Sequence, residues 1–279
     1  MDRNRVDVAV VGGGACGVMT ALRASLGDDL VIGVFEKSTK EHCNAEISSG
    51  SLAAGGTRFQ RDAGIDDSPE MHADEILAAS GDGEAADLVH ALCAVAPRYV
   101  EWIADLGYPV EIGTDMPRAG MSVPRLHTDV GRRGGGRLMG FLRSVLATRD
   151  TVAFVDDAPA VSLLVDGGAV AGVVVEQNGR LTEVRAGTTV LATGGFAGNA
   201  DLMRRYCAAL GEPLHGGVST NTGDAVGWLA DLGADLRNMG ACLRHGLMVA
   251  GHGTRLSPAL PFYGAVLLDS DGRRFVDEH

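Results

Sequence analysis

The stretch that most constrains the fold is Val6–Gly17, where an apolar run ends in a cluster of glycines. A run with helical periodicity follows from Ala15 to Leu26, and a second apolar run, Leu30–Phe35, ends at the acidic residue Glu36. This order predicts a strand, a glycine turn, a helix, a second strand and an acid. It is the outline of a dinucleotide-binding site on a parallel sheet.

Each residue of this outline has a physical role. Gly12 permits a tight turn after the strand, Gly14 leaves room for a pyrophosphate, and Gly17 lets the helix approach the sheet closely. The first turn of the helix offers free N–H groups and the positive end of the helix dipole. Glu36 can accept hydrogen bonds from both hydroxyls of an adenosine ribose, and its charge disfavours the 2′-phosphate of NADP. The alternative is a strand-to-helix connection that binds no ligand.

The charge of the chain argues against polyanionic partners. Lys and Arg total 24 against 36 Asp and Glu, a net charge of -12 at pH 7, so we expect neither nucleic acid nor a membrane surface as a partner. No apolar run reaches transmembrane length, and no secretory signal precedes the first strand. The five cysteines include no Cys-x-x-Cys pair, so we expect no metal site and no disulfide framework. These features predict a cytoplasmic protein.

A β-rich block occupies the second half of the chain, and Asp166-Gly167-Gly168 and Asn178-Gly179 within it are hairpin turn signals. Short strands are predicted at residues 152–155, 160–165, 169–176, 181–185, 188–192 and 265–269. Helices are predicted from Ser68-Pro69 onward and at residues 84–106, 137–148, 200–210 and 224–232. This block is predicted to form an antiparallel meander attached to a parallel sheet.

Two further segments are rich in small or basic residues. Ile47–Gly56 is too polar for a strand and too rich in glycine for a stable helix. It either brings backbone N–H groups against a flat, polar ring system or forms a flexible loop. Arg125–Arg137 contains four arginines set among glycines, which either line an anion site or form a solvated basic loop.

Together these motifs resemble the flavoprotein subunit of fumarate reductase and succinate dehydrogenase, and the soluble FAD-dependent relatives of that subunit. The segments that carry the resemblance are Gly12–Gly17 with Glu36, Ser49–Gly56, Arg125–His127, Val190–Phe196, Gly223-Asp224 and Gly272–Glu278. The implied fold class is α/β. It comprises a Rossmann-like FAD-binding domain, with a parallel sheet and an antiparallel β-meander, and the start of a capping (substrate) domain.

The resemblance implies noncovalent FAD. In membrane-bound members a histidine carries covalent flavin, whereas the matching position here is Ser49, which cannot form that bond, and His42 lies outside the matching register. Asp224 is either a cofactor contact or a first-turn helix acid. The implied cofactor-binding residues are Gly12, Gly14, Ala15, Cys16, Gly17, Glu36, Lys37, Ser49, Gly50, Gly55, Gly56, Ala160, Thr193, Gly194 and Asp224.

The resemblance implies fewer substrate groups. His245 matches a substrate-binding histidine of the catalytic site, although Gly246-Leu247 departs from the residues that usually follow it. The implied substrate-binding residues are Arg125, His127 and Ser257. The family's proton-donating arginine lies a few residues beyond the motif that ends here at Glu278, so we expect that arginine to be absent from this chain.

We therefore expect an FAD-binding domain over residues 1–240, with a helical insertion at about 66–148. Residues 241–279 would begin a capping domain that is truncated, and a second chain would supply the missing C-terminal part.

Three functions fit these features. The first is an FAD-dependent oxidoreductase that transfers a hydride between flavin N5 and a C–C or C=C bond of a small carboxylate substrate, with a separate electron donor or acceptor. The second is a flavoenzyme like 3-ketosteroid dehydrogenase, and the third is a fragment that binds FAD without turnover. A plain NAD dehydrogenase would leave Ser49–Gly56 without a role.

Overall fold

A computed structural model describes residues 4–27, 29–80, 85–115, 120–131, 134–211, 213–244, 247–249, 251, 256–257 and 260–277. The chain forms two compact units. The first unit comprises Met1–Gly50 and Arg133–Ala241, and the second comprises Ser51–Arg132 and Cys242–His279. The predicted division into residues 1–240, with an insertion at about 66–148, and residues 241–279 stays a prediction.

The described chain contains both strands and helices, and it begins with a strand–helix–strand unit, β1-α1-β2. The strands are β1 (Arg5–Val11), β2 (Ile32–Phe35), β3 (Leu52–Ala53), β4 (Val110–Ile112), β5 (Leu126–Asp129), β6 (Val152–Val155), β7 (Ala160–Asp166), β8 (Ala169–Gln177) and β9 (Arg180–Leu191). The helices are α1 (Ala15–Ala24), α2 (Arg58–Asp62), α3 (Pro69–Ser80), α4 (Ala86–Asp105), α5 (Gly135–Leu146), α6 (Ala200–Tyr206) and α7 (Asp224–Asp231).

The first unit is built on a six-stranded sheet with the strand order β6-β2-β1-β9-β8-β7. β1 pairs in parallel with β2 on one side and with β9 on the other, and β6 pairs in parallel with β2. β7, β8 and β9 form an antiparallel meander. The predicted α/β class, with a parallel sheet and an attached meander, is confirmed.

One strand joins the parallel and antiparallel parts of this sheet. The sequence analysis predicts separate strands at residues 181–185 and 188–192, but β9 runs without a break from Arg180 to Leu191. Its first half pairs with β8 and its second half with β1, and Arg185 pairs with both neighbours. The predicted gap is wrong because Ala186 stays in the ladder, paired with Val6 of β1.

The C-terminal half of β1, Ala9–Val11, is buried, as expected of a strand at the centre of a sheet covered on both faces. Ala9 and Val11 belong to a core cluster that also contains Phe35, Val173 and Val184. Val10, which alternates with them along the strand, has no exposed surface. The N-terminal apolar run is therefore explained by its central place in the sheet.

Gly17 allows α1 to pack closely on the turn that follows β1. A Cβ atom built at Gly17 would lie 1.8 Å from the carbonyl oxygen of Gly12 and 3.3 Å from Cγ1 of Val10. Val18 and Leu22, farther along α1, are buried. Only glycine fits this position, as the sequence motif predicts.

The second unit contains a three-stranded antiparallel sheet with the order β3-β5-β4, and α3 packs against α4. Ile47–Gly56 was predicted to contain no strand, but Leu52 and Ala53 form the short strand β3 by pairing with His127 and Leu126. The helix α2 begins with a capping box, in which the side chains of Thr57 and Gln60 each bond the other's backbone N–H.

Two predicted elements near the C-terminus differ from the structure. The strand predicted at residues 265–269 is wrong: within the described residues, only an isolated antiparallel bridge joins Leu268 to Arg274. Leu268 is 55% exposed and has no strand partner other than Arg274 among the described residues. The helix predicted at 200–210 ends at Tyr206 and continues as a 3₁₀ turn at Ala208–Leu210.

We expect Gly17→Ala to lower the free energy of unfolding by about 1–3 kcal/mol, because the added methyl group has no space beside Gly12. The matched control is Gly140→Ala in α5, where an added Cβ meets nothing within 4 Å. That control should raise the free energy of unfolding by up to ~1 kcal/mol through helix propensity. Urea denaturation of both variants measures the difference, and equal effects would contradict the close packing of α1.

Candidate functional site

The glycine turn between β1 and α1 forms one wall of the site. Gly12 has a φ of +105°, and a Cβ atom there would lie 2.4 Å from the carbonyl oxygen of Ala192. Gly14 has no such crowding: its nearest neighbour to an added Cβ is Cβ of Cys43, at 3.8 Å. The protein itself therefore requires glycine at position 12, whereas at position 14 it leaves open space that a ligand can occupy.

The N-terminus of α1 is open to a ligand. Gly14 is the N-cap residue, no side chain caps the helix, and no acidic residue lies in the first turn. The first-turn N–H groups and the positive end of the helix dipole therefore have no competing anion in their own helix. This arrangement suits a pyrophosphate.

Glu36, at the end of β2, is held beside this turn. The backbone N–H of Gly13 donates to Oε2 of Glu36 at 2.5 Å, and the N–H of Ser38 donates to Oε1 at 2.9 Å. Each carboxylate oxygen can accept more than one hydrogen bond. The fixed carboxylate can thus hold the turn and still accept hydrogen bonds from ribose hydroxyls.

A second charged group lies at the N-terminus of α7. Nζ of Lys37 donates to Oδ2 of Asp224 at 2.9 Å and to Oγ1 of Thr222 at 2.8 Å, and the Thr222 hydroxyl donates to Oδ1 of Asp224 at 2.6 Å. Asp224 does occupy the first turn of its helix, as the simpler alternative predicts. It also forms this ion pair, which ties α7 to the residue that follows Glu36.

These residues line a single cleft of about 630 Å³ in the first unit. This volume lies within the range of ordinary ligand pockets, about 300–1,000 Å³. Of the predicted cofactor residues, those in the wall of the cleft are Gly12, Gly14, Ala15, Cys16, Glu36, Lys37, Ala160, Thr193, Gly194 and Asp224. Residues from five separate parts of the sequence thus meet in one place. Their role in binding stays a prediction, which the open space at Gly14 supports.

The other predicted cofactor residues lie outside the wall of the cleft. Gly17 packs α1 on its turn, and a Cβ at Gly50 would lie 2.7 Å from the carbonyl carbon of Gly134. Ser49 lies in the same unit. Gly55 and Gly56 belong to the second unit, where a Cβ at Gly55 would lie 2.5 Å from the carbonyl oxygen of Ser68.

Trp228 and Arg143 are among the side chains in the wall of the cleft that were not predicted from the sequence. Trp228 is partly buried against the core cluster and lies one helical turn after Asp224, a spacing that could have indicated it. Arg143 comes from α5, and nothing in its local sequence separates it from a surface arginine. Its position depends on how α5 packs against α1.

Arg143 joins the glycine turn to the segment after Glu36. Its Nη2 donates to the carbonyl oxygen of Gly13 at 3.2 Å, and its Nη1 donates to Oε1 of Glu46 at 2.6 Å. Burial alone would raise the pKa of Glu46, but the hydrogen bond from the Cys43 N–H and the charge of Arg143 lower it below its usual value. Glu46 is therefore an ionised carboxylate at neutral pH, and it holds Arg143 through an ion pair.

Arg125, predicted to bind substrate, is completely buried in the second unit. Its Nε and Nη2 donate to the two carboxylate oxygens of Asp67, both at 2.8 Å, and its Nη1 donates to Glu75. This bidentate pairing is the arrangement that buried arginines need. Asp67 and Glu75 together occupy four of the five N–H donors of Arg125, and its substrate role stays a prediction.

His127 is buried in the same unit and is also fully hydrogen-bonded. Its Nδ1 faces the carbonyl oxygen of Arg125 at 2.9 Å, and its Nε2 lies 2.8 Å from Oγ1 of Thr57. A carbonyl only accepts, so Nδ1 carries the proton and Nε2 accepts from the threonine hydroxyl. Burial lowers the pKa of His127, which keeps the ring neutral. Its predicted substrate role likewise gains no support from this geometry.

The remaining predicted substrate residues are less informative. His245 lies outside the described residues, and Ser257 is exposed in the second unit.

Within the described ranges, no group of three or more His, Cys, Asp or Glu side chains is arranged to hold a metal ion. Among the helices that the structure describes, none has both the length and the apolar composition needed to cross a bilayer.

Comparison with known proteins also indicates a domain that binds a dinucleotide cofactor. The family model described as FAD binding domain matches residues 7–279. NADH:fumarate oxidoreductase of Klebsiella pneumoniae (strain 342) is 31% identical over 280 residues, which cover 98% of this chain and 29% of that protein.

Two solved structures share the fold. The open conformation of a flavocytochrome c3 fumarate reductase matches with a TM-score of 0.87 at 25% identity, covering 99% of this chain and 49% of that chain. The 3-ketosteroid-delta4-(5alpha)-dehydrogenase from Rhodococcus jostii RHA1 matches with a TM-score of 0.74 at 26% identity, covering 92% and 62% respectively.

The fold and the cleft define a dinucleotide-binding protein of the Rossmann class. The chain belongs to the FAD binding domain family, and the predicted cofactor, FAD, is confirmed at the level of the family. The predicted resemblance to fumarate reductase flavoproteins is also confirmed. The chain spans 29% of the Klebsiella relative and about half of the flavocytochrome.

We expect the second unit to lose stability in acid through Glu75. The hydrogen bond from Arg125 lowers the pKa of Glu75 from 4.5 to about 2. A carboxyl group with a lowered folded pKa stabilises the fold above its unfolded pKa, and this contribution is lost as the pH falls from 4.5 towards about 2. Glu75→Gln should therefore lower the free energy of unfolding at pH 7 by about 1–3 kcal/mol.

The variant should also show a flatter fall of stability between pH 4.5 and about 2 than the parent chain. Asp74→Asn, at an exposed position of the same helix, is the matched control and should leave the pH profile unchanged. Urea denaturation across this pH range gives the result. A profile for Glu75→Gln as steep as that of the parent would contradict the pairing of Glu75 with Arg125.

Proposed function

We propose that this chain binds one FAD noncovalently in the cleft of the first unit. The observation that carries the proposal is the glycine turn, which leaves open space at Gly14 beside an uncapped helix N-terminus. Glu36 is fixed next to that turn, where it suits an adenosine ribose. The roles of the lining residues follow from this placement: the turn takes the pyrophosphate, and Glu36 takes the ribose hydroxyls.

The proposal of noncovalent binding rests on Ser49, which stands where the covalent histidine of some family members is expected. His42 lines the cleft, and its Nδ1 lies 3.8 Å from Oε2 of Glu46. Its side chain is 73% exposed. A histidine so exposed and adjacent to a carboxylate is explained as a solvated surface group, so we assign it no bond to flavin.

We further propose that the protein acts as an oxidoreductase on a C–C or C=C bond of a small carboxylate substrate. Bound FAD supplies the hydride chemistry at N5. The residues of this chain supply the binding and orientation of the ADP half. The carboxylate class is supported by the likeness to relatives named for fumarate. His245 and Ser257 are the proposed substrate contacts.

A steroid-like substrate is the second candidate. It is favoured by one observation, the structural likeness to a 3-ketosteroid dehydrogenase at 26% identity. An electron donor or acceptor, a second chain and a cytoplasmic location also remain proposals.

We expect the purified chain to retain FAD after gel filtration, with flavin absorbance at the elution volume of the protein. Acid precipitation should then release all of the flavin into the supernatant, because no covalent bond holds it. Flavin that stays with the precipitate would contradict noncovalent binding. A protein peak without flavin absorbance after incubation with excess FAD would contradict the cofactor proposal itself.

The same FAD-loaded chain tests the substrate class. With its flavin photoreduced under argon by EDTA as the electron donor, addition of fumarate should restore the oxidised flavin spectrum, and addition of a 3-keto-4-ene steroid should not. A response to the steroid alone would reverse the choice of candidate. No response to either compound would contradict turnover by this chain and would leave the cofactor assignment intact.

A further inference from the structure

Gly13, the middle residue of the glycine turn, is held by charged side chains at both of its backbone polar groups, which belong to two successive peptide units. The N–H of Gly13 donates to Glu36, and the carbonyl oxygen of Gly13 accepts from Nη2 of Arg143 at 3.2 Å. Arg143 is held in turn by Glu46, whose second oxygen accepts from the Cys43 N–H at 2.7 Å. We refer to Glu36, Arg143 and Glu46 together as the Gly13 clamp.

The turn needs such a clamp because its backbone is intrinsically soft. Gly12, Gly13 and Gly14 are consecutive residues without side chains, and glycine reaches more backbone conformations than any other residue. Order in such a segment must come from contacts outside it. Gly13 is also enclosed by a ring, since an added Cβ would lie 2.6 Å from Cζ of Phe154.

The direction of the Gly13 carbonyl decides where the Gly14 N–H points. In a trans peptide the C=O of one residue and the N–H of the next point in opposite directions. Because Arg143 draws the Gly13 carbonyl to itself, the N–H of Gly14 is aimed away from Arg143. A carbonyl turned the other way would present its oxygen, instead of an N–H, to an anion at Gly14.

The position of Arg143 leaves one of its polar atoms buried without a hydrogen bond, which is energetically unfavourable. Its Nε is buried and has no hydrogen-bond partner within the described part of the chain. The side chain is only 25% exposed, so most of its length is committed to the interior. A surface arginine without a role would turn outward to hydrate all of its donors.

We propose that Arg143 is a positioning residue for the pyrophosphate-binding turn, acting through the Gly13 carbonyl rather than as a point charge. The inference deepens the proposed FAD site and rests on it. It assigns to a residue on α5 the task of presetting the backbone that receives the two phosphates. Presetting lowers the conformational entropy that a ligand must remove when it binds.

The test compares two probes, ADP and adenosine, which differ only in the pyrophosphate. Arg143→Met removes the guanidinium donors to Gly13 and Glu46 and keeps an unbranched, largely apolar side chain in the space beside α1. It should weaken ADP binding about 10- to 100-fold, the range expected for loss of a hydrogen bond to a charged group. Adenosine binding, followed by ligand-observed NMR, should stay unchanged. An equal loss for both probes would overturn the proposal, since it would mean general damage to the cleft.

Arg143→Lys separates positioning from charge. Lysine keeps the positive charge but cannot form the planar fork that reaches Gly13 and Glu46 together. We expect it to bind ADP as weakly as Arg143→Met does. Recovery of the parent affinity by Arg143→Lys would show that a point charge suffices and would overturn the proposal.

Two further variants complete the design. Arg204→Met, at an exposed ion pair on α6, is the matched control and should bind both probes like the parent. Glu46→Leu removes both carboxylate oxygens, which hold Arg143 and the Cys43 N–H, and should weaken the binding of ADP but not of adenosine. This variant tests the proposal if Arg143→Met does not fold, and unchanged ADP binding in Glu46→Leu would contradict the clamp. FAD retention by the parent chain tests the cofactor proposal separately.

Discussion

The hydrogen bond between the Gly13 N–H and Glu36 is the contact on which the proposed FAD site depends. It connects the turn after β1 to the end of β2, so the two parallel strands hold the proposed pyrophosphate site and the proposed ribose site at a fixed separation. The sheet makes this possible because β1 is central and pairs with a parallel strand on each side. The carboxyl ends of β1, β2 and β9 then open onto the same cleft.

In the second unit, buried polar side chains form a hydrogen-bonded network inside the unit. The side chains of Arg125, Asp67, Gln60 and His127 are buried and hydrogen-bonded, and they surround the turn at Gly55 and the cap of α2. Such a network rigidifies a unit only when its members are satisfied. Nδ1 of His72 is the exception, because it is buried without a partner among the described residues, and burial and the nearby Arg125 charge lower the pKa of His72.

The strongest sequence signals were local, and these predicted the structure well. Val6–Gly17 contains its own strand, turn and helix, and the hairpin signals place the meander, because short-range geometry decides each of them. Arg125 and His127 illustrate the limit. A buried arginine paired with Asp67 and Glu75 has the same local sequence as one that faces a substrate. Only the tertiary pairing of β3 with β5 reveals which environment it occupies. Arg143 was missed for the same reason, since its partner is 130 residues away in the sequence.

The central claim is that Glu36 forms the ribose end of a dinucleotide site. Calorimetric titration of ADP, and of ADP carrying an additional 2′-phosphate, into the purified chain tests it most directly. Because the fixed carboxylate of Glu36 would face the added phosphate, ADP should bind at least about tenfold more tightly than its 2′-phosphorylated form. Equal affinities, or a preference for the 2′-phosphate, would contradict the account.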